Sequence, residues 1–150
     1  MSRQPYNILV IPYIRTENAA KYCILKRKDM DIWQFVAGGG EGSECPEEAA
    51  LRECFEETGI QARIYRKLET SGHVPAIYFS EEAQSIWGPT VIVIPVYCFA
   101  VETNRPDIRI SGEHIEYRWL DYDSASSLLH FDLDKTALYE IHESIRRNIL

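Results

Sequence analysis

The chain has 150 residues, enough for one domain with a sizeable core, and its 45% hydrophobic and 26% charged composition is ordinary for a water-soluble fold. A formal net charge of −7 leaves no basic footprint for a nucleic-acid polymer, though a small anionic substrate stays open if metal ions carry the attraction. The opening MSRQPYN lacks a signal-peptide run, no segment approaches the roughly 18 apolar residues of a membrane span, and Cys23, Cys45, Cys54 and Cys98 form no CxxC pair, so a reducing cytoplasm is the expected location.

Residues 7–14 (NILVIPYI) read as a buried strand, with residues 21–26 (KYCILK) as its hairpin partner. Residues 29–36 hold Trp33 and lead into a turn of Gly38, Gly39 and Gly40. A helix is predicted from Pro46, whose fixed φ suits a first helical position, with Cys45 as its cap and Gly59 as its left-handed stop. Residues 60–69 look extended, and 70–90 irregular, with Gly72, Pro75, Gly88 and Pro89 as breakers. Residues 90–101 (TVIVIPVYCFAV) are the most apolar run and read as a central strand, where Pro95 predicts a bulge or an edge-facing position. Residues 104–112 form a loop, 116–120 a strand, and 122–129 and 135–148 helices. Strands first, one helix in the middle and helices last predict a single domain with a mixed sheet packed between helices.

The helix after the glycines is overloaded with carboxylates: Glu47, Glu48, Glu53, Glu56 and Glu57 fall within eleven positions. Like charges at three- and four-residue spacing cost about 0.2–0.5 kcal/mol per pair, and the helix dipole disfavours anions in the last turn. A bound cation would account for the cluster. Ala50, Leu51, Cys54 and Phe55 form the expected apolar face, with Arg52, Glu53, Glu56 and Glu57 projecting from the other side. Glu53 and Glu57, one turn apart, suit a hard divalent cation that keeps waters for substrate phosphates. Arg52 is four before Glu56 and would orient it, while the backbone of Gly38 and Gly39 would approach a phosphate.

Gly38, Glu44 and the run Arg52-Glu53-Cys54-Phe55-Glu56-Glu57-Thr58-Gly59-Ile60 together resemble the Nudix box, with Cys54 where that family usually has an aliphatic residue. The resemblance implies an α/β fold, an α/β/α sandwich around a mixed sheet, and hydrolysis of a nucleoside diphosphate linked to another group with magnesium or manganese. It implies that Glu53, Glu56 and Glu57 bind the metal, that Arg52 orients them, and that Glu44 is a structural partner. Residues 7–10, 24–27, 31–34 and 113–120 resemble the bacterial dihydroneopterin triphosphate pyrophosphatase branch, which implies that Glu113 joins the metal site and that Lys26 and Arg3 contact phosphate. Ala37 and Phe131 depart from that branch. Tyr78 and Trp87 are candidate stacking surfaces for a base, whereas Trp33, Trp119, His114, His130 and His142 read as packing residues. The resulting expectation is a small-molecule pyrophosphohydrolase, monomeric or homodimeric, acting on a nucleoside triphosphate or an analogue. The alternatives are a dinucleoside polyphosphate or ADP-ribose hydrolase and a nucleotide-sensing module. The pattern does not separate general base from metal ligand among Glu56, Glu57 and Glu113.

Overall fold

The structure is a computed structural model describing residues 2–149. Its seven strands form one mixed sheet in the order β3-β2-β1-β6-β5, with β4 added to β1 and β7 to β2. The elements in chain order are β1 (Arg3–Arg15), β2 (Ala20–Arg27), β3 (Trp33–Gln34), β4 (Val36–Glu41), α1 (Pro46–Thr58), β5 (Ile64–Pro75), α2 (Glu81–Trp87), β6 (Val93–Glu102), β7 (His114–Leu120), α3 (Tyr122–Leu128) and α4 (Asp132–Arg146). One edge of β1 runs parallel to β6 from Asn7 to Tyr13. The other edge is divided: β4 pairs with it up to Val10, and β2 pairs only from Tyr13 to Arg15. After their hairpin β1 and β2 therefore part, and β3 and β4 fill the fork.

Strand alternation builds the two cores. Ile8 and Val10 of β1, with Cys23, Leu25, Phe99 and Val101, pack under Ala49, Ala50 and Cys54 of α1. The alternate residues Leu9 and Ile11, with Tyr22, Ile24, Cys98 and Ala100, pack under Ala125 of α3 and Leu138 and Ile141 of α4. Each fully buried aliphatic side chain contributes about 1.5–3 kcal/mol. The result is the expected α/β/α sandwich.

The structure corrects several local expectations. Gly38, Gly39 and Gly40 are not a turn but lie in β4, paired with β1; the reversal comes after them, at Gly42 with φ 58°. Residues 70–75 continue β5 rather than turning irregular, and residues 81–87 form α2, capped by Ser80, whose hydroxyl accepts from the Ala83 N–H. Pro95 pairs across from His73 of β5, just before the β1–β6 ladder begins at Val96, so its missing N–H falls where the strand has one neighbour. On α1, Phe55 is not in the core: it is 45% exposed beneath the Arg109 guanidinium, while Glu57 is 3% exposed. The buried stripe runs through Ala50, Cys54 and Glu57, so one carboxylate of the charged set is turned toward the sheet.

Candidate active site

Two local devices hold α1 against β4. Glu48 accepts the Cys45 N–H at 3.0 Å, closing the helix start, and Gly59 ends the helix at φ 77° with its N–H on the Phe55 carbonyl. Arg52 then spends all five of its N–H donors. Nε and Nη2 grip both oxygens of Glu44 at 2.7 and 3.0 Å, Nη2 also reaches the Gly39 carbonyl at 2.8 Å, and Nη1 bonds Glu53 and Glu56 at 3.0 and 3.1 Å. Glu44 in turn accepts the Glu41 N–H at 2.8 Å, tying the loop to the helix. The glycines explain themselves here by close approach: a Cβ on Gly38 would occupy the space of the Glu53 carboxyl, and one on Gly39 that of the Arg3 guanidinium.

Glu57 is the most constrained group. Neither of its oxygens has a hydrogen-bond partner. Burial, the neighbouring Glu53 carboxyl and the charge of Glu113 push it up to about 10, and burial raises Glu53 as well. Across from it, His114 Nε2 lies 3.5 Å from Glu57 Oε1. Burial lowers the His114 pKa, so this is a contact of a neutral imidazole and not an ion pair. His114 reaches that position through a bulge. Tyr117 and Trp119 of β7 alternate opposite Leu25 and Cys23, but the register slips so that His114, not Ile115, faces Arg27. The slip turns His114 onto the α1 side and leaves Ile115 54% exposed.

Glu57, Glu113 and His114 line a cleft of about 860 Å³ that also takes in Arg3, Gly38, Gly39 and, farther along, Leu9, Gln34, Val96 and Asp134. That volume suits a nucleotide-sized ligand. Glu56 is turned to Arg52 and is not among the lining residues, and Glu53 lies behind Gly38. Among the described residues no three acidic, His or Cys side chains stand ready as a closed metal cage. An all-oxygen donor set with an orphaned buried carboxylate nonetheless fits a hard divalent cation that keeps several waters.

The proposed substrate contacts divide. Arg3 lines the cleft, its guanidinium 5.2 and 5.6 Å from the ring centres of Phe79 and Trp87 and donating to the Tyr6 carbonyl at 2.7 Å. Lys26 does not reach the cleft: strand alternation points it the other way, over Trp33 and onto Asp31 at 3.0 Å, whereas its neighbours Arg27 and Lys28 do line it. Tyr78 is 79% exposed and lies off the cleft. Trp87 faces inward, donating its indole N–H to the Arg3 carbonyl at 2.7 Å, so it anchors β1 and offers no free face in the cleft. Gln34, Asp134, Arg27 and Lys28 were not singled out by the sequence; strand parity separates Arg27 from Lys26, whereas Lys28 lies beyond the end of β2.

The sandwich thus carries the Arg52-centred carboxylates on α1 beside the cleft. The NUDIX domain family matches residues 6–141. The chain is 30% identical over 130 residues to dihydroneopterin triphosphate diphosphatase of Escherichia coli K12, covering 84% of each. It is 32% identical over 124 residues to the asymmetrical bis(5'-nucleosyl)-tetraphosphatase of Rattus norvegicus, covering 82% of this chain and 79% of the relative. A solved NUDIX hydrolase structure from Listeria monocytogenes is 40% identical with a TM-score of 0.84, covering 97% of both chains. The chain belongs to the NUDIX family. It is a hydrolase acting on acid anhydrides.

Proposed function

We propose that this chain is a metal-dependent pyrophosphohydrolase that cleaves a nucleoside triphosphate or an analogue, such as dihydroneopterin triphosphate, to a monophosphate and pyrophosphate by attack of water on phosphorus. The observation that carries the reading is Glu57: a carboxyl with two unpartnered oxygens, beside Glu53 and in the same cleft as Glu113. Such a group is costly in isolation and becomes favourable when a cation binds.

Glu53, Glu57 and Glu113 would hold magnesium or manganese, with Glu56 joining by rotating away from its exposed contact with Arg52. Bound there, the ion would supply positive charge for the phosphate oxygens and would lower the pKa of a water. The chain's own contributions are distinct. Arg52 fixes the Glu53 and Glu44 carboxylates, and Gly38 lets β4 pass within contact of Glu53. Arg3 and Lys28 would add positive charge along the cleft for the outer phosphates, and Glu113, exposed in its lining, would take a proton from water. Four free cysteines support a cytoplasmic setting.

The rat relative supports a second reading, a dinucleoside polyphosphate hydrolase. One panel decides between them: kcat/KM for nucleoside triphosphates, dihydroneopterin triphosphate, diadenosine tetraphosphate and ADP-ribose, with pyrophosphate and phosphate release scored separately. The first reading expects a triphosphate to lead with pyrophosphate as product. A lead for diadenosine tetraphosphate would replace it with the second.

A further inference from the structure

His114 is a buried polar side chain that the reaction leaves without a role. It is 5% exposed, and neither ring nitrogen has a hydrogen-bond partner. Buried polar groups in folded proteins are nearly always paired. Among the described residues the sealed side-chain atoms without a partner belong to two residues, His114 and Glu57, and these face each other with Nε2 3.5 Å from Oε1. That separation is slightly longer than a normal N–H···O bond, which closes at about 2.7–3.2 Å. The fold departs from regular pairing to make this contact. Without the slip between Lys26 and Arg27, strand alternation would give Ile115 the face of Tyr117 and Trp119, and an apolar side chain would fill the place at no polar cost. The turn before β7 is fixed as well, with the His114 N–H on the Ser111 carbonyl at 3.2 Å and the Lys28 N–H on the Glu113 carbonyl at 3.0 Å.

We propose that His114 is a positioning residue of the metal site, donating its Nε2–H to Glu57 Oε1 and so aiming that carboxylate at the cation. This rests on the reading of Glu57 as a metal ligand. Carboxylates that bind metals are themselves held by hydrogen bonds from groups behind them, and losing such a partner costs about 10–100-fold in metal affinity. Glu53 and Glu56 have that support from Arg52 Nη1, at 3.0 and 3.1 Å. For Glu57, more deeply buried than either, the place is taken by His114. Hydrogen bonds of this kind are often long before substrate arrives and tighten in the complex. A neutral imidazole suits the task because it donates without a charge of its own, whereas Arg or Lys there would set a full positive charge against the ion.

Metal binding tests this independently of turnover. Manganese binding, followed through the electron paramagnetic resonance signal of the free ion, should be about 10-fold or more weaker for His114→Leu than for the wild type. Glutamine can place its amide N–H near the Nε2 position and asparagine only near Nδ1. His114→Gln should therefore stay within about threefold of the wild type, while His114→Asn weakens like the leucine variant. The metal-free protein should respond in the opposite sense: leucine removes an unpaired polar group, so His114→Leu should melt at or above the wild-type temperature. A packing role predicts the reverse, a lower metal-free melting temperature with manganese affinity unchanged, and that result overturns the proposal. Equal manganese affinities for the glutamine and asparagine variants overturn it as well, whether or not the leucine variant folds. Glu57→Gln is the control. If it binds manganese as tightly as the wild type, the assignment of Glu57 as a ligand falls and His114 has nothing to position. Weakened binding in Glu57→Gln with unchanged binding in His114→Leu removes the role of His114 alone.

Discussion

Glu57 is 3% exposed with no well-formed hydrogen bond to either oxygen, and the charges that bear on it most, Glu53 and Glu113, are of the same sign. Folding the metal-free chain therefore protonates the group or strains it, and a cation relieves both. Two consequences can be measured at this residue. Magnesium at saturating concentration should raise the melting temperature of the wild type, because a ligand that binds only the folded state stabilises it. Glu57→Gln should remove most of that rise and lower kcat by about a thousandfold, as loss of a group acting in the transition state does. An equal magnesium shift in both proteins would sink the assignment of Glu57 as a ligand. The neighbouring glycine is constrained by the same carboxyl. Gly38→Ala puts a methyl where the Glu53 side chain lies, so it should destabilise the protein by about 1–3 kcal/mol in urea unfolding and lower activity by displacing Glu53. A neutral Gly38→Ala would mean that Glu53 is free to move.

At the level of elements, what could be read from sequence was whatever repeats locally. Strand alternation and helix punctuation placed β1, β2, α1 and β6, because Pro46 and Gly59 mark the ends of α1 within the motif itself. The errors came where long-range pairing overrides local signals. Gly38 to Gly40 read as a turn, but they are glycine because α1 and β1 press side chains onto the strand. Gly72 and Pro75 read as breakers, yet β5 has β6 on one side only and tolerates them. The His114 bulge leaves no trace in the alternation of residues 116–120, and it alone turns His114 toward Glu57. The α2 start was legible, with Ser80 ahead of two glutamates in the first turn, a helix-opening pattern obscured by the breakers around it. Strand β5 also carries a register shift between Lys67 and Ser71, and α4 supplies what the ladder omits there: Glu140 accepts from the Glu69 N–H at 2.7 Å, the Thr70 N–H at 2.8 Å and the Thr70 hydroxyl at 2.7 Å. Glu140→Ala should accordingly cost about 1–3 kcal/mol and speed amide exchange at residues 69 and 70 ahead of the rest of the sheet. Uniform exchange across β5 in the variant would show that the contact does not hold the bulge.

Across the whole molecule the site divides by how far apart its parts lie in the chain. The box carboxylates come from one helix and could be read from a single stretch, whereas the rest of the cleft is lined from β1, β3, β6 and the start of α4. No local pattern marks Asp134, which looks like one more acidic residue in a first helical turn until the fold buries it against Phe35. Its burial has a consequence for the stability of the entire domain. Burial raises the Asp134 carboxyl from 3.8 to about 7, with the Phe35 N–H opposing the rise. Between these values the folded protein holds a proton that the unfolded chain has released, so unfolding becomes easier as pH climbs through that window. Stability conferred by the neutral carboxyl is complete below about pH 4 and lost by about pH 7, and the full difference corresponds to about 4 kcal/mol. Asparagine keeps the acceptor for Phe35 without the charge. Urea unfolding of wild type and Asp134→Asn in chelator, at pH 4.5 and pH 8, should show the variant gaining on the wild type by up to that amount at the higher pH, while every other titration common to the two cancels. Parallel stability curves would mean that Asp134 ionises in the folded protein as easily as in the unfolded chain, with water already reaching it through the cleft.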